Sequence, residues 1–251
     1  MLLIFSFICY SSTMKNFFRT KNAITLVFAI VALLPSCSGR ITAQLEQNGS
    51  GAVQLQAGLE PNMTALIRSL YSFSGSAQAG PLLDAAALNS SLKIAPGVSS
   101  SALRNSGEER IDGTIGVSRI GDLLNAGANR FVQYETGASE SRLAIRLDRS
   151  IAPQLLKQIY PEAVDYLSAL MAPAATGEAL TKADYLVIVE SVYGKPLAAE
   201  IASARVTAAI TLPGAVKSVK GGTSSGKEAR FDIALADLLV LEQPLDYEII
   251  W

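Results

Sequence analysis

The sequence predicts an α+β fold, a mainly antiparallel sheet made from N- and C-terminal strands and packed with a central helical section. Three observations carry this expectation. Apolar and polar residues alternate on both sides of Asn48-Gly49, and the same alternation returns after residue 204. Between about residue 150 and residue 204 the apolar residues recur instead at three- and four-residue spacing, the period of a helix. Strands at both ends with helices between them place the chain among α+β domains.

A short tether over residues 38–40 leads into the first strand, where Ile41, Ala43 and Leu45 alternate with Thr42, Gln44 and Glu46. Asn48-Gly49 supplies the turn, and Val53, Leu55, Ala57 and Leu59 give the second strand its apolar face. Asn62 is the expected N-cap of a helix carrying Met63, Leu66, Ile67, Leu70 and Tyr71 at helical spacing, a stripe suited to cover the hairpin's apolar face. Ser74 to Gly80 reads as a small-residue loop and Leu82 to Leu92 as a short helix, followed by strands at Ser99–Arg104 and Glu109–Val117. Ser118 is placed to cap a short helix ending at Gly127. Phe131–Tyr134 and Leu143–Leu147, joined through Gly137-Ala138-Ser139, are expected to resume the same sheet.

In the helical section, Tyr160, Val164, Leu167 and Met171 form one stripe and Leu186, Val189, Val192 and Tyr193 another. Pro173 to Gly177 separates them, and Thr181 with Asp184 makes a capping box in which Asp stands for the usual Glu. Asp165, Glu190 and Glu200 read as charges on solvated faces. Strands return with Val206, Ala208 and Ile210, continue through Val216 and Val219, pass a Gly221–Gly226 loop, and finish with Phe231–Leu235 and Leu245–Trp251.

Ahead of all this stands a leader. From Met14 the chain carries Lys15, Arg19 and Lys21, then Ala23 to Leu34 without a charge, then Leu34-Pro35-Ser36-Cys37. A basic start, a short apolar run and a small-residue cleavage region are the parts of an export signal. The apolar run is twelve residues, whereas a membrane-spanning helix needs about 20. Residues 1–13 are a second apolar patch, read as lying upstream of a true start at Met14, with a longer leader as the alternative. Leu34 and Ser36 fit a lipobox and Pro35 departs from it, so residues 1–36 are expected to be removed and Cys37 lipidated, leaving a single extracytoplasmic α+β domain over 37–251. An ordinary signal peptide cut nearby is the competing reading. Cysteine usage favours the lipid, because Cys9 and Cys37 are the two cysteines and the processed chain keeps the second alone, with no internal disulfide to form. Two or more acyl chains give stable membrane anchoring, at about 0.8 kcal/mol per buried methylene.

Removal of 36 of the 251 residues leaves 215, carrying 18 of the 21 basic residues and all 22 acidic ones, formally −4. A weakly acidic chain with no basic cluster points away from nucleic acid. Histidine is absent, so Ser-His-Asp and Cys-His catalysis lack their proton carrier and zinc lacks its usual ligands. No Asp-rich calcium loop occurs, and no metal or cofactor is expected.

Three motifs near the C-terminus lose force on inspection. Gly221 to Lys227 fits G-x-x-x-x-G-K, but Glu228 stands where a hydroxyl should meet Mg²⁺. Gly222 to Gly226 fits G-x-S-x-G without a histidine to serve Ser224, and Ser224–Lys227, like Ser90–Lys93 much earlier in the chain, has a bare S-x-x-K spacing. A Gly/Ser hairpin loop explains these C-terminal matches, and the alternating end Leu245–Trp251, which resembles the last strand of an outer-membrane barrel, reads as sheet closure because the long helical section and the lipobox argue against a barrel. Lys217, Lys220, Lys227 and Arg230 surround that loop and are candidate contacts for anionic lipid headgroups.

The segment Leu212-Pro213-Gly214-Ala215-Val216, with its Gly-rich turn and the strand to Ile233, resembles the closing part of the LppM-type lipoprotein domain. Ile41 to Leu59, turning at Asn48-Gly49-Ser50-Gly51, resembles that domain's opening hairpin after a lipidated cysteine. The resemblance implies an extracytoplasmic α+β module that contacts lipid or glycolipid, and it brings no catalytic residues with it. The expectation is therefore a bacterial envelope lipoprotein, held to the membrane through Cys37, that is not an enzyme and binds a lipid, a glycolipid or an envelope protein. A carboxylate-dependent envelope hydrolase and a surface adhesin or scaffold are the alternatives; a hydrolase needs two carboxylates positioned in one cleft.

Metabolic labelling with a radioactive fatty acid is expected to mark the wild-type protein and to leave Cys37→Ser unlabelled. Equal labelling of the two would refute the assignment.

Overall fold

The computed structural model describes residues 37–73, 80–125, 131–137, 139–159 and 161–251. The leader, including Met14 and the Leu34-Pro35-Ser36 segment, lies outside the described residues. So do positions 74–79 of the small-residue loop, Gly127, Ala138 and Tyr160.

The N-terminal alternation forms β1 (Cys37–Leu45) and β2 (Gly51–Leu59), paired antiparallel from Cys37↔Leu59 to Leu45↔Gly51. The hairpin turns through a loop in which Asn48 Oδ1 accepts from Ser50 N at 2.9 Å and Gly49 takes the positive φ of 78°. β1 begins at Cys37 itself, four residues earlier than the alternation of large apolar residues indicates. The expected tether at residues 38–40 is thus part of the strand. Gly39 and Arg40 lack the side-chain pattern of a strand, but Val206 and Thr207 of a neighbouring strand pair with them.

Two further strands, β3 (Val98–Gly107) and β4 (Arg110–Val117), add to β2, while β7 (Arg205–Thr211), β10 (Glu228–Ala234) and β9 (Thr223–Ser225) add on the other side of β1. The result is a seven-stranded sheet in the order β3-β4-β2-β1-β7-β10-β9, antiparallel except for the parallel β1–β7 pair. β5 (Val132–Thr136) and β6 (Ser141–Leu147) do not resume it. They join β11 (Leu245–Ile250) and β8 (Ser218–Lys220) in a second, four-stranded antiparallel sheet, β5-β6-β11-β8. Alternation reports which face of a strand is apolar, and both inner faces here are apolar because the two sheets face each other. The Gly221–Gly226 segment is likewise more than a loop. Gly221 and Gly222 carry the chain from β8 of one sheet into β9 of the other, and a Cβ on Gly222 would meet the Arg230 carbonyl oxygen at 2.3 Å.

Helix α1 (Pro61–Phe73) starts with Pro61 in its first turn, so Asn62 lies inside the helix. Its cap comes from a distance. Glu200 Oε1 accepts from Asn62 N at 3.0 Å and from Asn62 Nδ2 at 2.5 Å, and Glu200 Oε2 accepts from Met63 N at 3.1 Å. The carboxylate read as a solvated charge is in fact the tie between α1 and α8 (Lys195–Ser203), the helix against which α1 packs. α2 (Ala85–Lys93) is capped by Asp84, whose side chain accepts from Ala86 N and Ala87 N, and lies on β3. α3 (Ile120–Asn125) opens with Ile120 N donating to Gly49 O at 2.7 Å, while Ser118 Oγ, the expected cap, donates to Gly97 O.

The helical section consists of α4 (Ala152–Ile159), α5 (Pro161–Ala169), α6 (Pro173–Thr176), α7 (Lys182–Tyr193) and α8, with α9 (Leu235–Val240) packing against α6, α7 and α8. The stripe expected from Tyr160 to Met171 is divided, since Pro161 starts a new helix and Met171 sits past its end at φ 54°. The Thr181–Asp184 box forms, with Thr181 accepting from Asp184 N at 3.1 Å. On α7 the buried face is Tyr185 and Val189, both 0 % exposed, whereas Val192 of the expected stripe is 57 % exposed. α7 is apolar on most of its circumference, so spacing alone does not select the buried side. No helix among the described residues is long and apolar enough to cross a membrane.

Glu200→Ala leaves two backbone amides at the start of α1 without their acceptor. The expected cost is about 1–2 kcal/mol, which for a domain of this size lowers Tm by about 2–8 °C in thermal denaturation followed by circular dichroism.

Candidate apolar site between the sheets

The strand alternation that builds each sheet also aims its apolar side chains into the space between them. From the seven-stranded sheet come Ile41 and Ala43 of β1, Val53 of β2, Val206, Ala208 and Ile210 of β7, and Phe231 and Ile233 of β10. The four-stranded sheet answers with Leu143 and Ile145 of β6 and Tyr247 and Ile249 of β11, and Leu123 and Leu124 of α3 close one side. These side chains do not fill the gap. A cavity of about 160 Å³ remains, lined almost wholly by carbon.

Register explains the gap. Ile41 stands beside Ala208 and Ala208 beside Phe231, while in the next inward row Ala43 stands beside Ile210 and Ile210 beside Ala229. Small side chains at Ala43 and Ala208 therefore leave volume that a Leu or Val would occupy. Ile41, Ala208, Ile210, Ile145 and Tyr247 point between the sheets and yet are only partly buried, so the space is not sealed from solvent. An apolar cavity of about 150 Å³ stays dry and accepts a benzene-sized guest. The present cavity is of that class and suits a short stretch of hydrocarbon, with each methylene transferred from water contributing about 0.8 kcal/mol.

Tyr247 gives this wall its polar edge. Its ring meets Phe231 edge-on, with centroids 5.4 Å apart and planes at 80°. Burial, with a smaller contribution from the nearby carboxylates of Asp237 and Asp232, raises its phenol above the ordinary tyrosine range. Tyr185, buried under α9 and the other helices, is raised for the same leading reason, and its hydroxyl has no hydrogen-bond partner among the described residues.

The four cations singled out in the sequence do not form one patch. Lys217 Nζ donates to Ser139 O at 2.7 Å, Lys227 Nζ to Pro213 O at 2.9 Å, and Lys220 pairs with Asp246 at 2.6 Å, which holds that carboxyl below its usual range. Arg230 pairs with Glu228 on the outer face of the seven-stranded sheet. None of the four lines the cavity: Lys220 shares the outer face of the small sheet with Asp246 and Glu248, opposite to Tyr247 and Ile249. Cys37 is at the other end of β1 from the Lys227 turn. Glu228 pairs with Thr211, and Thr211 with Gln44, which stands seven residues along the strand from Cys37, roughly 23 Å at about 3.3 Å per residue.

The remaining motifs find ordinary places. Ser224 lies in β9, an exposed edge strand, with no helix after it to cradle a phosphate or raise a nucleophile. Ser90 Oγ donates to Ala86 O inside α2. Three carboxylates border a depression on the outer face of the large sheet. Glu200 caps α1, Asp112 is held by Arg104 at 2.8 Å, and Glu60 accepts from Ser38 Oγ at 3.4 Å. The apolar cavity itself was not legible as a site in the sequence. Its signal was the pair of alanines at inward-facing positions, which becomes informative once the register is known.

No protein-family model matches the chain, and no curated protein matches it. Among solved structures, the chain is loosely similar to the folded domain of LppM from Mycobacterium tuberculosis, determined by NMR. The two share 11% sequence identity over 86% of this chain and 88% of that chain, with a TM-score of 0.38.

The phenols fix the sign of the alkaline response. A folded-state value raised above that of the unfolded chain gives stability that is complete below about pH 10 and is lost as pH rises through the raised value. Tm is expected to be level up to about pH 9 and to fall above about pH 10, and Tyr247→Phe is expected to remove that residue's share of the fall.

Proposed function

We propose that the protein is a membrane-anchored envelope lipoprotein and a non-catalytic binding module, which holds a segment of a lipid acyl chain between its two sheets. The observation that carries this reading is the unsealed apolar cavity beneath Ala43 and Ala208. An interior built for stability alone would be packed to the density of a crystal. Here half-buried isoleucines line a space that water does not favour and hydrocarbon does.

The polar part of the lipid stays outside. In this reading Lys217, Lys220, Lys227 and Arg230 all act in their local contacts, and none of them lines the cavity. Acyl chains on Cys37 keep the module at the membrane from which such a lipid would come. The carboxylates serve as caps and ion-pair partners in this account and carry no chemistry.

Ala208→Phe fills the cavity from its own wall. The purified wild-type protein is expected to bind a fluorescent fatty acid, and native mass spectrometry is expected to show copurifying lipid. The variant is expected to bind at least about tenfold more weakly, the equivalent of about 1.4 kcal/mol, with an unchanged circular dichroism spectrum. Wild-type protein that neither binds the fatty acid nor carries lipid would sink the acyl-chain reading.

A further inference from the structure

The outer face of the seven-stranded sheet, away from the apolar cavity, is covered by no described element. Outward positions on its central strands hold Arg40, Thr42, Gln54, Gln56 and Thr207, all exposed, and no aromatic side chain. Two depressions, of about 840 and 670 Å³, lie on this side of the sheet and share Arg40 and Thr207. Together they run from β4 to β9, five strand spacings or about 24 Å across.

Charge on this face is unequally satisfied, with two guanidiniums left over against one carboxylate, Glu60, which meets the Ser38 hydroxyl at 3.4 Å. Arg104 is paired with Asp112, Arg205 with Asp232 and Arg230 with Glu228, and Glu200 is occupied at the start of α1. Arg40 and Arg110 are exposed, and among the described residues no carboxylate lies within ion-pair distance of either. A glycine brings them toward each other. Gly58 pairs with Arg110 on β4 and with Ser38 on β1, two residues before Arg40 on the same face. A Cβ at Gly58 would stand 2.9 Å from Arg110 Cγ, so the Arg110 stem lies over this bare position. Gly in a strand interior costs stability, and here its effect is to let the guanidinium reach across the sheet.

We infer that this face binds an anionic glycan strand. Two free guanidiniums meet carboxylate or phosphate groups through paired N–H donors, and the intervening Gln, Ser and Thr groups match sugar hydroxyls. An open trough of this width suits an extended chain better than an enclosed small molecule. A lipid tail would find no apolar wall on this face. Single-stranded nucleic acid would lack both an aromatic platform for its bases and a continuous basic track. The site lies on the opposite side of the sheet from the acyl cavity and does not depend on it.

The test is isothermal titration of the purified protein with oligogalacturonate, with dextran of equal length as the neutral control. Oligogalacturonate is expected to bind, with an affinity that falls as salt rises, and dextran is not. Arg40→Gln combined with Arg110→Gln is expected to weaken binding about tenfold for each guanidinium removed. Gly58→Ala keeps both charges and displaces the Arg110 stem, so it is expected to weaken binding on its own. This single small change serves as the deciding variant if the double one fails to fold. In either variant the binding of a fluorescent fatty acid is expected to remain, which separates this site from the cavity. Absence of oligogalacturonate binding, equal binding of dextran, stronger binding of single-stranded DNA, or wild-type affinity in both variants would each overturn the inference.

Discussion

β1 pairs on one side with β2, its hairpin neighbour, and on the other, in parallel, with β7, from the far part of the chain. A parallel pair cannot close through a tight turn and needs a long connection. That connection here holds most of the molecule, including β5, β6 and helices α1 to α8. The cost of closing such a loop rises only slowly with its length, whereas the pairing completes two hydrogen-bonding edges at once. Because β1 is central, its alternate residues serve two surfaces. Ile41 and Ala43 form the floor of the cavity, and Arg40 and Thr42 belong to the polar face behind it.

Both surfaces follow from the same period-2 geometry, yet they are built by opposite devices. Between the sheets, small side chains at Ala43 and Ala208 leave a space that Leu or Val would have filled, and burial around it pushes the Tyr247 phenol upward. On the outer face, removal of a side chain altogether at Gly58 makes room for a long cation. Neither device is conspicuous by residue type. Alanine and glycine are common in this chain, and their meaning depends on what the neighbouring strand places beside them.

This also marks how far the sequence could be read. The Asn48-Gly49 hairpin, the Thr181–Asp184 cap and strands at β3 to β6 were legible because their signals are local: a turn residue, a capping pair, an alternation of side chains. The partition into two sheets was not, since alternation identifies an apolar face without naming the face opposite. The cap of α1 was missed for a related reason, as Glu200 is remote in sequence from Asn62 and looks on its own helix like any exposed carboxylate. On α7, apolar residues on most sides hid the choice of Tyr185 and Val189 as the buried pair. The candidate sites were the least legible part. Lys217, Lys220, Lys227 and Arg230 are neighbours along the chain, but the Gly221-Gly222 passage between sheets distributes them around the molecule.

The position of Cys37 at the first rung of β1 has a mechanical consequence. A lipoprotein on a flexible tether can tumble and sweep out a volume above its membrane. Were acyl chains attached to Cys37, this chain would have its anchor joined to a strand hydrogen-bonded along both edges from its third residue onward. No slack of extended chain would then separate the lipid from the sheet, so the strand itself would set how far the fold can stand from the surface. The long polar face would begin at the lipid surface itself, with Arg40 three residues from the anchor and the Gly226 turn at the far end of the strands.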